Sequence, residues 1–330
     1  MSAVVSAATL ATTAAEYADS SPPAERSARA EQLGRNLAEL IGDPDAFAAM
    51  LRAGLGELAD DESRASQRRV APGIGPVLGV RWPLLAAVSR GYRAETRWDR
   101  HGAAALFVAD RLLRDPLLEP RWFAFGLLER LVVLDPERSW QLLRRAAREA
   151  ADWITVDSLA HPVGRGVLNE PYRWAELEQL VYAPSRWERR LVGSTIATIP
   201  FLDRRAGRAA PIATHGIALL ADLIGDGEAE VQKAIAWAVR SLVLVDAPAV
   251  LGFLEDETER AAASADGHRA WVIRDALAKL PADRAAAIRD RLTGIRRREG
   301  SPSTSRASGV AARFGGPTLV RTADEPPLTA

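Results

Sequence analysis

Cysteine is absent from the 330-residue chain. That excludes disulfide frameworks, Cys-ligated zinc, iron–sulfur clusters and thiol nucleophiles together. Histidine is scarce. His101, His161, His215 and His268 are the only four, and no two lie within five residues of each other. No local histidine metal motif exists, and neither a metal nor a cofactor is expected. Lysine is nearly missing: only Lys233 and Lys279 stand among 43 basic residues, the rest being arginine. Arginine is the better phosphate fork, but a GC-rich genome produces the same bias. Net charge is zero, with 43 acidic residues against 43 basic ones, so charge alone assigns no nucleic-acid partner. No run of 18 apolar residues exists, and Met1-Ser2-Ala3-Val4-Val5 lacks the basic region of a signal peptide. The expected location is the cytoplasm, with no membrane span.

What is present is helical periodicity. Leu33, Leu37, Leu40 and Ile41 follow the i, i+4, i+7, i+8 stripe, and Leu127, Leu128, Leu131 and Val132 share one helix face at i, i+1, i+4, i+5. Ile217, Leu220, Leu223 and Ile224 continue it, then Ile235, Val239 and Leu242. Helix-stop chemistry punctuates the stripes at Gly42-Asp43-Pro44, Asp115-Pro116, Asp135-Pro136, Gly225-Asp226-Gly227 and Asp246-Ala247-Pro248. Equivalent turns recur every ~35–45 residues, the range of HEAT-type helical pairs. The spacing predicts an all-α protein, an α-solenoid of HEAT-like repeats over residues 29–298 with a concave face for a rod-like partner. Residues 1–28, rich in Ala, Ser and Thr, are expected to be a disordered leader, and residues 299–330 a disordered tail.

Three segments put a tryptophan beside charge. Asp152 is a candidate N-cap, so Trp153 opens a helix and stacks one turn before Asp157. A core carboxylate there would need a partner to offset its desolvation. A core indole with a capping or arginine-paired Asp fits the same spacing. In Ser185-Arg186-Trp187-Glu188-Arg189-Arg190, Ser185 and Glu188 have capping-box spacing, and Trp187 precedes Arg190 by three. An ordinary amphipathic turn reads the same way. In Val231-Gln232-Lys233-Ala234-Ile235-Ala236-Trp237-Ala238-Val239-Arg240, Lys233, Trp237 and Arg240 share a face. Snorkelling from a buried helix also accounts for Lys233 and Arg240.

Taken together, these segments resemble the DNA alkylation repair enzyme family, the AlkD-like DNA glycosylases built of HEAT-like repeats. The resemblance rests on Trp153-Ile154-Thr155-Val156-Asp157, Trp187-Glu188-Arg189-Arg190 and the Gln232-to-Arg240 motif. Gly79-Val80-Arg81-Trp82-Pro83 and Arg274-Asp275-Ala276-Leu277 are weaker echoes, and Trp82 departs from the pattern. It implies a monofunctional glycosylase that hydrolyses the N-glycosidic bond of N3- and N7-alkylpurines in double-stranded DNA. It implies that Asp157, Trp153 and Trp237 gather at the lesion's deoxyribose, with Arg190 at a phosphate and Trp187 in the same wall. Lys233 and Arg240 are further candidates for DNA binding, followed by Arg204, Arg205 and Arg208. A monomer is expected. The alternative is a HEAT-repeat scaffold that binds DNA or protein without catalysis.

Overall fold

The computed structural model describes residues 23–96 and 98–313. Sixteen α-helices and no strand are found among the described residues. The described residues fall into two compact units, divided between Ala124 and Phe125.

The first unit holds α1 (Pro23–Glu39), α2 (Pro44–Leu58), α3 (Asp61–Val70), α4 (Trp82–Glu95), α5 (Trp98–Leu113) and the start of α6 (Leu118–Leu134). The expected leader overlaps α1 over residues 23–28; the rest of that leader lies outside the described residues. Helix α1 packs on α4 by close backbone approach. A Cβ at Gly34 would lie 2.0 Å from the Val88 carbonyl oxygen, and one at Gly91 would lie 1.9 Å from that of Glu31. Either Gly→Ala change would force this crossing apart. The Gly79-Val80-Arg81 loop is held by Glu119, whose carboxylate accepts from the N–H groups of Leu78, Gly79 and Val80 at 2.8–3.3 Å. Gly79 sits at φ +93°, in the left-handed region that a side chain disfavours. Trp82 is 60% exposed at the start of α4.

The second unit continues α6 and adds α7 (Pro136–Glu149), α8 (Trp153–Asn169), α9 (Arg173–Val181), α10 (Arg186–Leu202), α11 (Ala210–Leu223), α12 (Ala229–Leu242), α13 (Ala247–Ser264), α14 (Gly267–Ala276), α15 (Ala282–Arg291) and α16 (Arg306–Arg313). The Asp-Pro and Gly-Asp breaks of the sequence all fall between helices or at the first residues of the next one. Asp135, Asp152, Asp246 and Asp266 each cap the helix that follows through a backbone N–H. Alternate helices pack side by side: α8 on α10, α10 on α12, and α12 on α14. The intervening α9, α11, α13 and α15 form a second row in the same manner. This two-row order is consistent with the helical-repeat fold that the spacing predicts.

Helix α10 is the centre of the first row. Every residue from Arg189 to Pro200 is buried. Burial of Leu191, Ile196 and Ile199 contributes roughly 1.5–3 kcal/mol each. Gly193 lets α12 come close, because a Cβ there would lie 2.8 Å from the Ala234 carbonyl carbon.

The expected tail also enters the fold in part. After α15 the chain runs back over the row ends. His268 Nε2 pairs with the Ser301 carbonyl at 3.1 Å, and Thr304 N–H donates to the Gly225 carbonyl at 2.8 Å. Arg297 donates to Gln232 at 2.9 Å. Helix α16 then lies against α11, with Arg306 3.1 Å from Asp222. The tail beyond Arg313 lies outside the described residues.

Candidate active site

Helix α8 starts under a firm cap. Asp152 accepts from Thr155 N–H at 2.8 Å and from Thr155 Oγ1 at 2.7 Å. That fixes Trp153 as the first helical residue and sets Asp157 one turn further on. Both are half-buried, and the Asp157 side chain keeps 21% of its surface in solvent.

Asp157 is met by two side chains of α10. Arg190 grips it with both edges of its fork: Nε donates to Oδ1 at 3.1 Å and Nη2 to Oδ2 at 2.8 Å. Ser194 Oγ donates to Oδ1 at 2.6 Å. The Arg190 guanidinium lies 6.0 Å from the centroid of the Trp153 ring. Its far edge reaches α12, where Nη1 donates to the Glu230 carbonyl at 2.7 Å and to Glu230 Oε2 at 3.1 Å. Lys233 Nζ donates to the other Glu230 oxygen at 2.6 Å. Two carboxylates and two cations thus alternate across three helices, and their formal charges cancel. Arg190 has five N–H donors; four are committed in these bonds, leaving one on Nη2.

Each residue expected at the site has a definite place. Asp157, Trp153, Arg190 and Lys233 belong to this cluster. Trp237 is half-buried on α12, on the same stripe as Glu230 and Lys233 at i+7 and i+4. Arg190, expected at a phosphate, is turned onto Asp157 and is only 5% exposed. Trp187 stands apart: the Arg186 guanidinium covers its ring at 5.0 Å. Arg240 is tied to α14, donating to the carbonyl and the carboxylate of Asp275. Of the further arginines, Arg204 and Arg205 are exposed, while Arg208 donates to the Pro200 carbonyl at 3.1 Å.

Ser194 and Glu230 were not legible as site residues. Their signals are Arg190/Ser194 at i, i+4 and Glu230/Lys233 at i, i+3, each of which also suits an ordinary helix face. Ser185 caps α10 through the Trp187 N–H at 3.3 Å. Glu188, its expected box partner, is partly buried, and burial pushes its carboxyl up against the pull of Arg144, Arg148 and Arg189.

Among the described residues no three His, Asp or Glu side chains gather in a way that would hold a metal ion. No helix among them is long and apolar enough to cross a membrane. The cluster therefore offers a fixed carboxylate with one open flank, flanked by indole and cation. A sequence model of DNA alkylation repair enzymes matches residues 51–280, a span that holds every residue of this cluster. No curated protein and no solved structure gives a match. By that match over most of its length, the chain belongs to the DNA alkylation repair enzyme family.

Proposed function

We propose that this protein is a monofunctional DNA glycosylase that excises N3- and N7-alkylpurines from duplex DNA. The observation that carries the reading is Asp157: a carboxylate held by Arg190 and Ser194, beside an indole, with part of its surface open. A purely structural pair needs no solvent access, and the Asp157 carboxylate keeps 21% of its surface open where Asp226 keeps 2%.

The chemistry suits one carboxylate. An N7-alkylated guanine is already cationic, so its departure needs no acid. The bond to the sugar breaks, the base leaves neutral, and the deoxyribose develops positive charge. A fixed negative group stabilises that charge and orients the attacking water. A charge pair at about 4 Å contributes about 4 kcal/mol at an effective dielectric of about 20. That is roughly a thousandfold in rate. The faces of Trp153 and Trp237 add about 0.5–2 kcal/mol each through their quadrupoles.

The row formed by α8, α10, α12 and α14 is the DNA-facing surface of a HEAT-like solenoid in this reading. Arg190 offers its spare Nη2 donor to the phosphate beside the lesion while it still holds Asp157. Lys233, Arg204 and Arg205 supply further backbone contacts, which position without reading sequence. The enzyme acts as a cytoplasmic monomer without a cofactor.

The test is base release from a duplex carrying one N7-methylguanine, by wild type and by Asp157→Asn. The expected result is release by wild type and almost none by the variant, which still binds the duplex. Equal release by both would discard Asp157. No release by either, with duplex binding retained, would favour the scaffold.

A further inference from the structure

Ser194 spends its hydroxyl on a partner in another helix. A serine or threonine inside a helix commonly donates to the carbonyl four residues back. Ser89, Thr198, Thr258 and Ser264 all do so, at 2.6–3.1 Å. Thr198 even uses the Ser194 carbonyl. Ser194 gives up that local bond and donates across to Asp157 on α8 at 2.6 Å. A separation of that size is typical of a hydroxyl bound to an ionised carboxylate. Ser194 is fully buried, so its aim is set by packing: Gly193 next to it lies against α12, and Leu191 and Ile196 fill the core.

The two oxygens of Asp157 are held differently. Among the described residues, Oδ2 accepts from Arg190 Nη2 alone. Oδ1 accepts from Arg190 Nε and, in addition, from Ser194. A shift of Arg190 toward a phosphate takes the donor from Oδ2 and leaves Oδ1 still held by Ser194. From this asymmetry we infer that Ser194 is a positioning residue of the excision reaction: it pins Asp157 Oδ1, so that Oδ2 is the oxygen presented to the sugar and the water. The inference rests on the glycosylase reading above.

A hydrogen bond to a charged group is worth about 1.5–3 kcal/mol, so its loss costs about 10- to 100-fold. The experiment compares wild type, Ser194→Ala, Ser194→Thr, Asp157→Asn and the Ser194→Ala/Asp157→Asn double variant in single-turnover release of N7-methylguanine, with duplex affinity measured in parallel. Ser194→Ala is expected to slow release about 10- to 100-fold with duplex affinity unchanged. Ser194→Thr, which keeps the hydroxyl, restores most of the rate. In the Asp157→Asn background the Ser194 change does nothing more, because the two act as a unit. A wild-type rate in Ser194→Ala, or an equal additional loss in the Asp157→Asn background, would overturn the role of Ser194 and leave the glycosylase reading standing. Absence of release by wild type would remove both. A loss in Ser194→Ala that Ser194→Thr does not restore, accompanied by weaker duplex binding, would make Ser194 a packing residue only.

Discussion

Helix α10 carries two arginines side by side, and each binds an aspartate on a neighbouring element. Arg189 and Asp226 are closed off, with 1% and 2% of their side-chain surfaces exposed. Arg189 also donates to the carbonyls of Ala183 and Pro184 at 2.9 and 2.8 Å, so it fixes a loop as well. Arg190 and Asp157 make the same kind of pair with 6% and 21% exposed. Adjacent positions on a helix point about 100° apart, which sends one pair into the turn between α11 and α12 and the other toward the open flank. Identical chemistry is thus a staple in one place and a candidate active site in the other. Solvent access to the carboxylate is what differs.

The comparison can be broken in several ways. Asp226→Ala leaves a buried guanidinium without its counterion, which costs about 3–5 kcal/mol. Urea unfolding should show that loss, while the fraction still folded releases base at the wild-type rate. If stability hardly moved and release vanished, the roles of the two pairs would be reversed. Asp157→Asn should do the opposite, with release down roughly a thousandfold and an unfolding midpoint close to wild type.

Glu230 sharpens the contrast. Its carboxylate sits between Arg190 and Lys233, where a DNA phosphate would find its two cations. Glu230→Gln should bind an undamaged duplex more tightly, with the slope of log K against log salt steeper by about one. Titrations at several salt concentrations measure this; an unchanged slope would mean that Glu230 does not compete with phosphate. The smallest effect concerns Glu188. Burial raises its carboxyl above the ordinary value, so the folded state holds the proton more tightly. Stability from this group is full at low pH and falls as pH rises through the raised value. Glu188→Gln should flatten that decline, read from denaturation midpoints between about pH 4 and about pH 7.

The cap at Asp152 and the breaks at Asp135 and Asp246 were readable because capping is local: each aspartate acts within three residues. Helix α1 was legible in the stripe through Leu33 and Leu37, but its start at residues 23–28 and its crossing with α4 were not, because that crossing sets Gly34 against Gly91, an approach of backbones. The stretch leading into α16 escaped notice because hydroxyls and backbone groups hold it to Gly225 and Asp266, partners distant in sequence. At the site, Trp153 and Asp157 are one turn apart and could be paired on paper. The bonds from Ser194 and Glu230 could not, since they depend on how α8, α10 and α12 lie together. Arg240 looked free for DNA until Asp275 appeared beside it.

The returning segment after α15 also imposes a timetable. Thr304 closes on Gly225, 79 residues earlier, and Gly225 opens the turn that presents Asp226 to Arg189. At about 5–20 residues per second of synthesis, that turn waits roughly 4–16 s for its clasp. During that interval the Gly225 turn lacks its clasp, and this is when a chaperone or a protease would meet it.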